Sequence, residues 1–400
     1  MSSRIIFHID VNSAYLSWTA VNLLQLGKST IDIREVPSII GGKTEERHGI
    51  VLAKSIPAKK FKIKTGESTY EALRKCPKLL IYTPDYGLYM QSSNAMYKLL
   101  CEYSPKIQRF SVDEVFIDVS HYKENYMEKA VEIQSRIRNE LGFNVNIGIS
   151  TNKILAKMAG DLEKPDKIIT LYPEEVQKKL WPLPIDNMFM VGRRTAPKLK
   201  NMGIYTIGQL ANYNIDYLFK EFKNYAFILK SYANGTATET IQNINHYDEV
   251  KTIGNSITLP SDISSLEEAL IVLLSLSETV SSRLRSHNLS CREVAVTIKT
   301  SDFRVYTHQK KLTSYIDCTN AIFDISKEIF KECWKNEPIR LLGIRTGNFS
   351  EDDFNQISIN ENIWEKERQA EIAIDKIRSR FGENSIKRSS LLKSNIEKRN

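Results

Sequence analysis

Two short apolar runs in this chain stop at carboxylates. Ile5-Ile6-Phe7-His8-Ile9 leads straight into Asp10, and far downstream Phe110-Ser111-Val112 meets Asp113-Glu114 before Val115-Phe116-Ile117-Asp118. An apolar strand buried in a sheet is a poor place for charge unless a cation sits beside it. If the two strands pair, three carboxylates converge. That arrangement suits two hard divalent cations, and two-metal sites carry out in-line phosphoryl or nucleotidyl transfer. A polar hairpin tip accounts for Asp113-Glu114 taken alone, since Asp is common in turns. Asp10 at a second strand end is what favours the metal reading.

The remaining pattern surrounds these strands with helices. Residues 4–10 read as a buried strand and Asn12 to Leu26 as a helix. A loop-rich basic segment runs to about residue 82, with Gly41-Gly42 as a turn signal and Ser68 to Leu73 as a short helix. Tyr86 to Tyr103 is helical and closes at Ser104-Pro105. Phe110–Val112 and Val115–Val119 alternate as strands, which puts Asp113-Glu114 at a hairpin tip. A helix over Glu128–Leu141, a strand over Val145–Ile149 and a helix over Thr151–Leu162 complete an α+β sheet domain. After Trp181-Pro182-Leu183-Pro184, residues 185–235 read as short helices, and 236–250 as a polar linker. Lys251 to Thr346 gives strand, helix, two strands, helix and strand, a second α+β domain. The last fifty residues are charged, with a helix near Ile363–Phe381.

The 400 residues supply material for several domains. A net charge of +8 suggests an anionic partner. From Lys43 to Lys64 come seven basic residues (Lys43, Arg47, Lys54, Lys59, Lys60, Lys62, Lys64) against Glu45 and Glu46, a run that, taken alone, a solvated face explains better. The five cysteines form no CxxC or Cys/His cluster, which argues against a zinc site or disulfide framework. No stretch has the length of a membrane span or a signal peptide, so a cytoplasmic protein is expected.

Ile9-Asp10-Val11-Asn12-Ser13-Ala14-Tyr15, Ser111-Val112-Asp113-Glu114 and the block Gly148-Ile149-Ser150-Thr151-Asn152-Lys153-Ile154-Leu155-Ala156-Lys157-Met158-Ala159-Gly160-Asp161-Leu162-Glu163-Lys164-Pro165 resemble, in order and spacing, the three signature blocks of Y-family DNA polymerases. The resemblance covers about residues 1–345 and is closest to the bacterial lesion-bypass branch. It implies a multidomain α+β right-hand polymerase. A ferredoxin-like palm would span 1–13 and 83–174, and small fingers 14–82. A helical thumb would span 175–236, a linker 237–250, a little finger 251–346 and a charged tail 347–400.

The resemblance also implies roles residue by residue. Asp10, Asp113, Glu114 and the main-chain carbonyl of Val11 would hold two Mg²⁺ ions. Tyr15 falls on the steric gate that rejects a ribose 2′-hydroxyl. Ser13, Ala14, Lys59 and Lys164 would meet the nucleotide. Lys59 stands where many members carry arginine, and Ile56 where many carry tyrosine, so triphosphate binding is expected to be looser or shared with Lys54 or Lys60. Asn12 replaces a second Asp found in many relatives. Gly192, Arg193, Arg194, Lys198 and Gly203 resemble a helix–hairpin–helix that grips a DNA phosphate. Gln356-Ile357-Ser358-Ile359-Asn360 resembles a sliding-clamp motif without its final aromatic residue, so weak or absent clamp binding is expected. The implied activity is template-directed addition of dNTPs to a primer on a DNA template, with low fidelity, by a monomer. The competing reading is a polymerase-like adaptor that binds DNA and partner proteins without chemistry. A nucleotidyl cyclase would leave the downstream modules unexplained.

Overall fold

The protein, seen in a computed structural model, is described over residues 4–42, 49–241, 249–350, 361–382 and 385–391. It forms two compact units, one containing the described residues before 242 and the other those from 249 onward. Both are mixtures of helix and sheet, and no described helix is long and apolar enough to cross a membrane.

In the first unit, strand β1 (Ile6–Val11) leads into helix α1 (Ala14–Gln25). Strands β2 (Ser38–Gly41) and β3 (Val51–Lys54) are followed by helices α2 (Ile56–Lys60) and α3 (Thr69–Lys75), then β4 (Leu80–Tyr82) and α4 (Tyr86–Cys101). Strands β5 (Ile107–Arg109) and β6 (Glu114–Asp118) precede α5 (Tyr126–Arg136), which a wider turn extends to Leu141 before Gly142 ends it at positive φ. Strand β7 (Val145–Ser150), helix α6 (Lys153–Leu162) and strand β8 (Ile168–Thr170) complete the sheet, whose order is β5-β6-β1-β7-β8. Short helices α7 (Thr195–Asn201), α8 (Ile207–Asn212), α9 (Ile215–Phe222) and α10 (Tyr225–Ala233) pack on a core of their own that also takes in Leu155 and Met158 of α6.

Every residue of β1 is buried, because helices cover both faces of the sheet. Phe7, Ile9 and Val11 join a core with Trp18, Leu100 and Ile133, while Ile6 packs with Phe116 and Ala156 on the other face. His8 and Asp10 alternate with the first set and share the face of Ile6. Gly148 of β7 sets the distance to that face. A Cβ there would lie 2.0 Å from the Ala156 carbonyl oxygen and 2.4 Å from the Gly160 nitrogen, so only glycine lets α6 settle onto the sheet. Close docking of α6 brings Lys157 to Glu114 of β6 and, just past its end, Lys164 to Asp10 of β1.

Two expectations need correction. The described residues of the basic segment up to residue 82 form a layer: β3-β2-β4 make a sheet, β2 antiparallel to β3 and parallel to β4, over Ile39, Val51, Ala58 and Ile63. Its strands are only three or four residues long, too short for a period to declare itself. Phe110–Val112 is not a strand; β5 ends at Arg109, and Phe110 and Ser111 turn back with their amides on the Glu114 carbonyl, 2.9 and 3.2 Å away. Glu114 therefore begins β6 and is not at a hairpin tip.

In the second unit, β9 (Thr252–Ile263), α11 (Leu266–Ser286), β10 (Ser290–Thr300), β11 (Val305–Ile316), α12 (Thr319–Cys333) and β12 (Ile339–Ser350) build an antiparallel sheet ordered β11-β10-β12-β9. Helix α13 (Glu361–Phe381) follows. It is held by buried ion pairs. Arg285 of α11 donates to Glu371 at 2.6 Å and Asp375 at 2.7 Å, and Arg388 bridges Glu371 and Glu278 at 3.0 Å each. The Glu371 carboxylate also accepts the Thr319 amide at 3.0 Å, capping α12, whose N-cap residue Cys318 offers no side-chain cap. Part of the expected linker, residues 242–248, and the clamp-like Gln356–Asn360 lie outside the described residues.

Candidate active site

Strand register brings the carboxylates together. Asp10 of β1 lies directly across from Glu114 of β6, and the Val11 amide donates to the Asp113 carbonyl at 3.1 Å. Cross-strand like charges repel, so this pairing costs stability unless cations intervene. Two lysines do so here. Lys164 Nζ bonds Asp10, also reaching Asp161 at 2.8 Å, and Lys157 Nζ bonds Glu114. Asp113 takes a 2.6 Å bond from the Ser111 hydroxyl, two residues back in the same turn. With each carboxylate held by a neighbour, no three His, Cys, Asp or Glu groups among the described residues close to metal-ligand spacing.

The electrostatics of Asp10 show how close the three are. Burial pushes its pKa up to about 6, Glu114 and Asp113 push the same way, and Lys164 opposes them. Burial pulls Lys164 down, yet Asp10 and Asp161 overcome it and leave the ammonium above its ordinary range. Three crowded carboxylates, one of them resisting ionisation, fit a hard divalent cation better than they fit one another. The two ammonium groups are point charges already at the places such ions would neutralise.

These residues open onto a cleft of about 790 Å³. Its lining includes Asp10, Val11, Ser13, Ala14, Tyr15, Lys54, Lys59, Asp113 and Lys164, so the expected metal and nucleotide residues share it, apart from Glu114, which sits behind with Lys157. Ser13 takes a left-handed conformation ahead of α1, and no side chain caps that helix end, which leaves its first amides available to an anion. Tyr15 stacks on Tyr89 with ring centroids 4.4 Å apart and planes 12° from parallel. Burial raises its hydroxyl pKa, with Asp113 adding to the effect, so the ring sits beside the carboxylates. Lys59 lies on the exposed side of α2, and Lys54 donates to the Ile63 carbonyl at 2.5 Å.

The helix–hairpin–helix residues are in place but differently built from two full helices. A single short turn over Ile185–Asn187 precedes the Gly192 loop, then α7 follows and Gly203 turns the chain at φ +81°. A Cβ at Gly192 or Gly203 would touch nothing within 4 Å, which leaves that backbone open at the surface, with Arg193 and Arg194 exposed beside it. Lys198 is engaged with Glu221 at 2.6 Å.

Three residues of the site escaped sequence reasoning. His8, two places before Asp10 on the same strand face, is 1% exposed and lies 3.8 Å from Glu114; burial, with Lys157 and Lys164, holds its pKa well below the usual range, so the ring is neutral. The two-residue strand period could have found it. Lys157 stacks over Phe110 and Phe189, 5.2 and 5.3 Å from their centroids, which fixes its stem beside Glu114. Asn146 lies across from Asp10 on β7, and nothing in its own sequence neighbourhood marks it.

The chain is similar to known proteins along nearly its whole length. Residues 9–161 match the impB/mucB/samB family, 250–359 that family's C-terminal domain, and 173–204 the IMS family HHH motif. The chain is 46% identical to a DNA polymerase IV of Clostridium acetobutylicum, over 98% of each protein. It is 35% identical to DNA polymerase IV 1 of Bacillus subtilis, over 99% of this chain and 95% of that one. Among solved structures, a Y-family DNA polymerase chimera aligns with a TM-score of 0.73 at 22% identity, covering 87% of this chain and all of its own, which supports the fold.

Proposed function

The chain belongs to the Y family of DNA polymerases and is a DNA-directed DNA polymerase of the translesion kind, and from that premise we propose that its cleft adds dNTPs to a primer 3′ end by two-metal nucleotidyl transfer, copying damaged template with low fidelity. The observation that carries this reading is the convergence of Asp10 and Asp113 with Lys164, Lys59 and Tyr15 around one cleft, with Glu114 paired directly behind Asp10.

Two Mg²⁺ ions would be held by Asp10, Asp113 and Glu114 and by the main-chain carbonyl of Val11. Bound there, they supply activation of the primer 3′-hydroxyl and neutralisation of the triphosphate. Lys164 and the uncapped amides of α1 at Ser13 and Ala14 bind the phosphates, and Lys59 adds a point charge from α2. The new bond joins the 3′-oxygen to the α-phosphorus as the bond from that phosphorus to the bridging oxygen breaks. Pyrophosphate leaves, and the hydroxyl proton passes to solvent. Tyr15, braced by Tyr89, stands where a ribose 2′-hydroxyl would clash.

In this reading the sheet β5-β6-β1-β7-β8 is the palm, β3-β2-β4 with α2 and α3 the fingers, and α7–α10 the thumb. The second unit is the little finger. The Gly192–Arg194 and Gly203 backbone offers amides to a DNA phosphate without reading sequence. The test is primer extension with Mg²⁺ on intact and lesion-bearing templates. Extension on both, abolished by EDTA, is the expected result; no extension, or extension that survives EDTA, overturns the reading.

A further inference from the structure

The loop carrying Lys164 is tied down by two asparagines, and we propose that Asn12 is a positioning residue for Lys164, fixing through Asn146 the place of that ammonium group at the triphosphate site. The proposal rests on the reading of Lys164 given above. Asn146 is completely buried on β7. Its amide nitrogen donates to the Gly160 carbonyl at 3.0 Å and the Glu163 carbonyl at 2.6 Å, the end of α6 and the residue just before Lys164. Its amide oxygen accepts from Asn12 Nδ2 at 3.0 Å and from the Lys167 amide at 3.3 Å. Asn12 in turn accepts the Asp166 amide at 2.9 Å. Residues on both sides of Lys164-Pro165 are thus bound to one pair of side chains.

The orientation of each amide is forced. The Asp166 N–H can only donate, so the oxygen of Asn12 faces it and the NH₂ of Asn12 faces Asn146. The carbonyls of Gly160 and Glu163 can only accept, so the NH₂ of Asn146 faces them and its oxygen is left for Asn12. An aspartate at position 12 would keep the bond to Asp166 but set a carboxylate against the carbonyl oxygen of Asn146. Asn146 could relieve this only by turning and losing two bonds from a wholly buried group. This chain therefore needs asparagine at 12, because its partner is already committed. Outside the loop, Arg138 adds a 2.5 Å bridge to Asp166.

Asn12→Ala, Lys164→Ala and the double variant are compared in steady-state insertion of one dNTP, with amide hydrogen exchange across residues 160–170 as a readout independent of nucleotide. Each single variant is expected to raise KM for dNTP roughly tenfold, the double variant no further, and Asn12→Ala to speed exchange at Asp166 and Lys167 beyond what its loss of melting temperature accounts for. Independent, multiplying effects, or an Asn12→Ala protein with unchanged KM beside a Lys164→Ala protein with raised KM, overturn the proposal. If Lys164→Ala leaves KM unchanged, the triphosphate role of Lys164 fails, and exchange alone decides: a loosened loop sustains the positioning role, an unchanged one rejects it.

Discussion

Each of the two units buries acidic side chains, and each gives them a different counter-ion. In the second unit Glu278, Glu371 and Asp317 are met by Arg285, Arg368, Arg378 and Arg388, and Glu371 also takes a main-chain amide. Arginine cannot be deprotonated and holds its partners through a planar fork, so these pairs are fixed in place. In the first unit Asp10 and Glu114 are met by Lys164 and Lys157, single ammonium groups on flexible stems. Lysine screens the charge without filling the coordination sphere of the carboxylates. The choice of cation separates a bolt from a site: one cluster is pinned by arginine forks, the other can exchange its cation.

The contrast can be broken most sharply by cutting one carboxylate in each cluster. Asp10→Ala should lower the rate of single-nucleotide insertion by about a thousandfold, some 4 kcal/mol of barrier, with little loss of stability. Rapid-quench primer extension reads this, and a rate within tenfold of wild type would erase the distinction. Glu371→Ala should do the reverse. It strips Arg285, Arg388 and the α12 N-terminus of a shared acceptor and should destabilise the second unit by about 3 kcal/mol in urea unfolding, while insertion below the transition keeps its rate. Smaller in energy, Tyr15→Ala should raise ribonucleotide insertion relative to deoxynucleotide by roughly tenfold or more, seen by competing rATP with dATP; an unchanged ratio removes Tyr15 from the gate. The smallest effect sharpens the counter-ion argument. Lys157→Met should cost the metal-free protein about 1 kcal/mol, recovered on adding Mn²⁺. A loss that the metal does not restore would make Lys157 structural, like Arg285.

Much of this was legible because catalysis needs particular residues at strand ends. The apolar run into Asp10, the strand over Val145–Ile149 with the helix that follows it, and the element order of the second unit all follow from local pattern, and the structure keeps them; the block from Gly148 to Pro165 was legible by family resemblance. The Asp10–Glu114 register is different: it depends on how β5 turns at Phe110, and alternation in Phe110–Val112 pointed to a strand where the chain bends. The layer of β2, β3 and β4 was missed because its three- and four-residue strands are too short for a period to show itself. The Asn12–Asn146 pair was illegible for a deeper reason. It joins residues far apart in the chain through amides that look like ordinary polar positions until the fold brings them together.

The most direct measurement is single-nucleotide primer extension in Mg²⁺ by Asp113→Ala beside wild type and Glu371→Ala. The account predicts insertion by wild type and by Glu371→Ala, and a loss of about a thousandfold for Asp113→Ala. Unimpaired insertion by Asp113→Ala would contradict it.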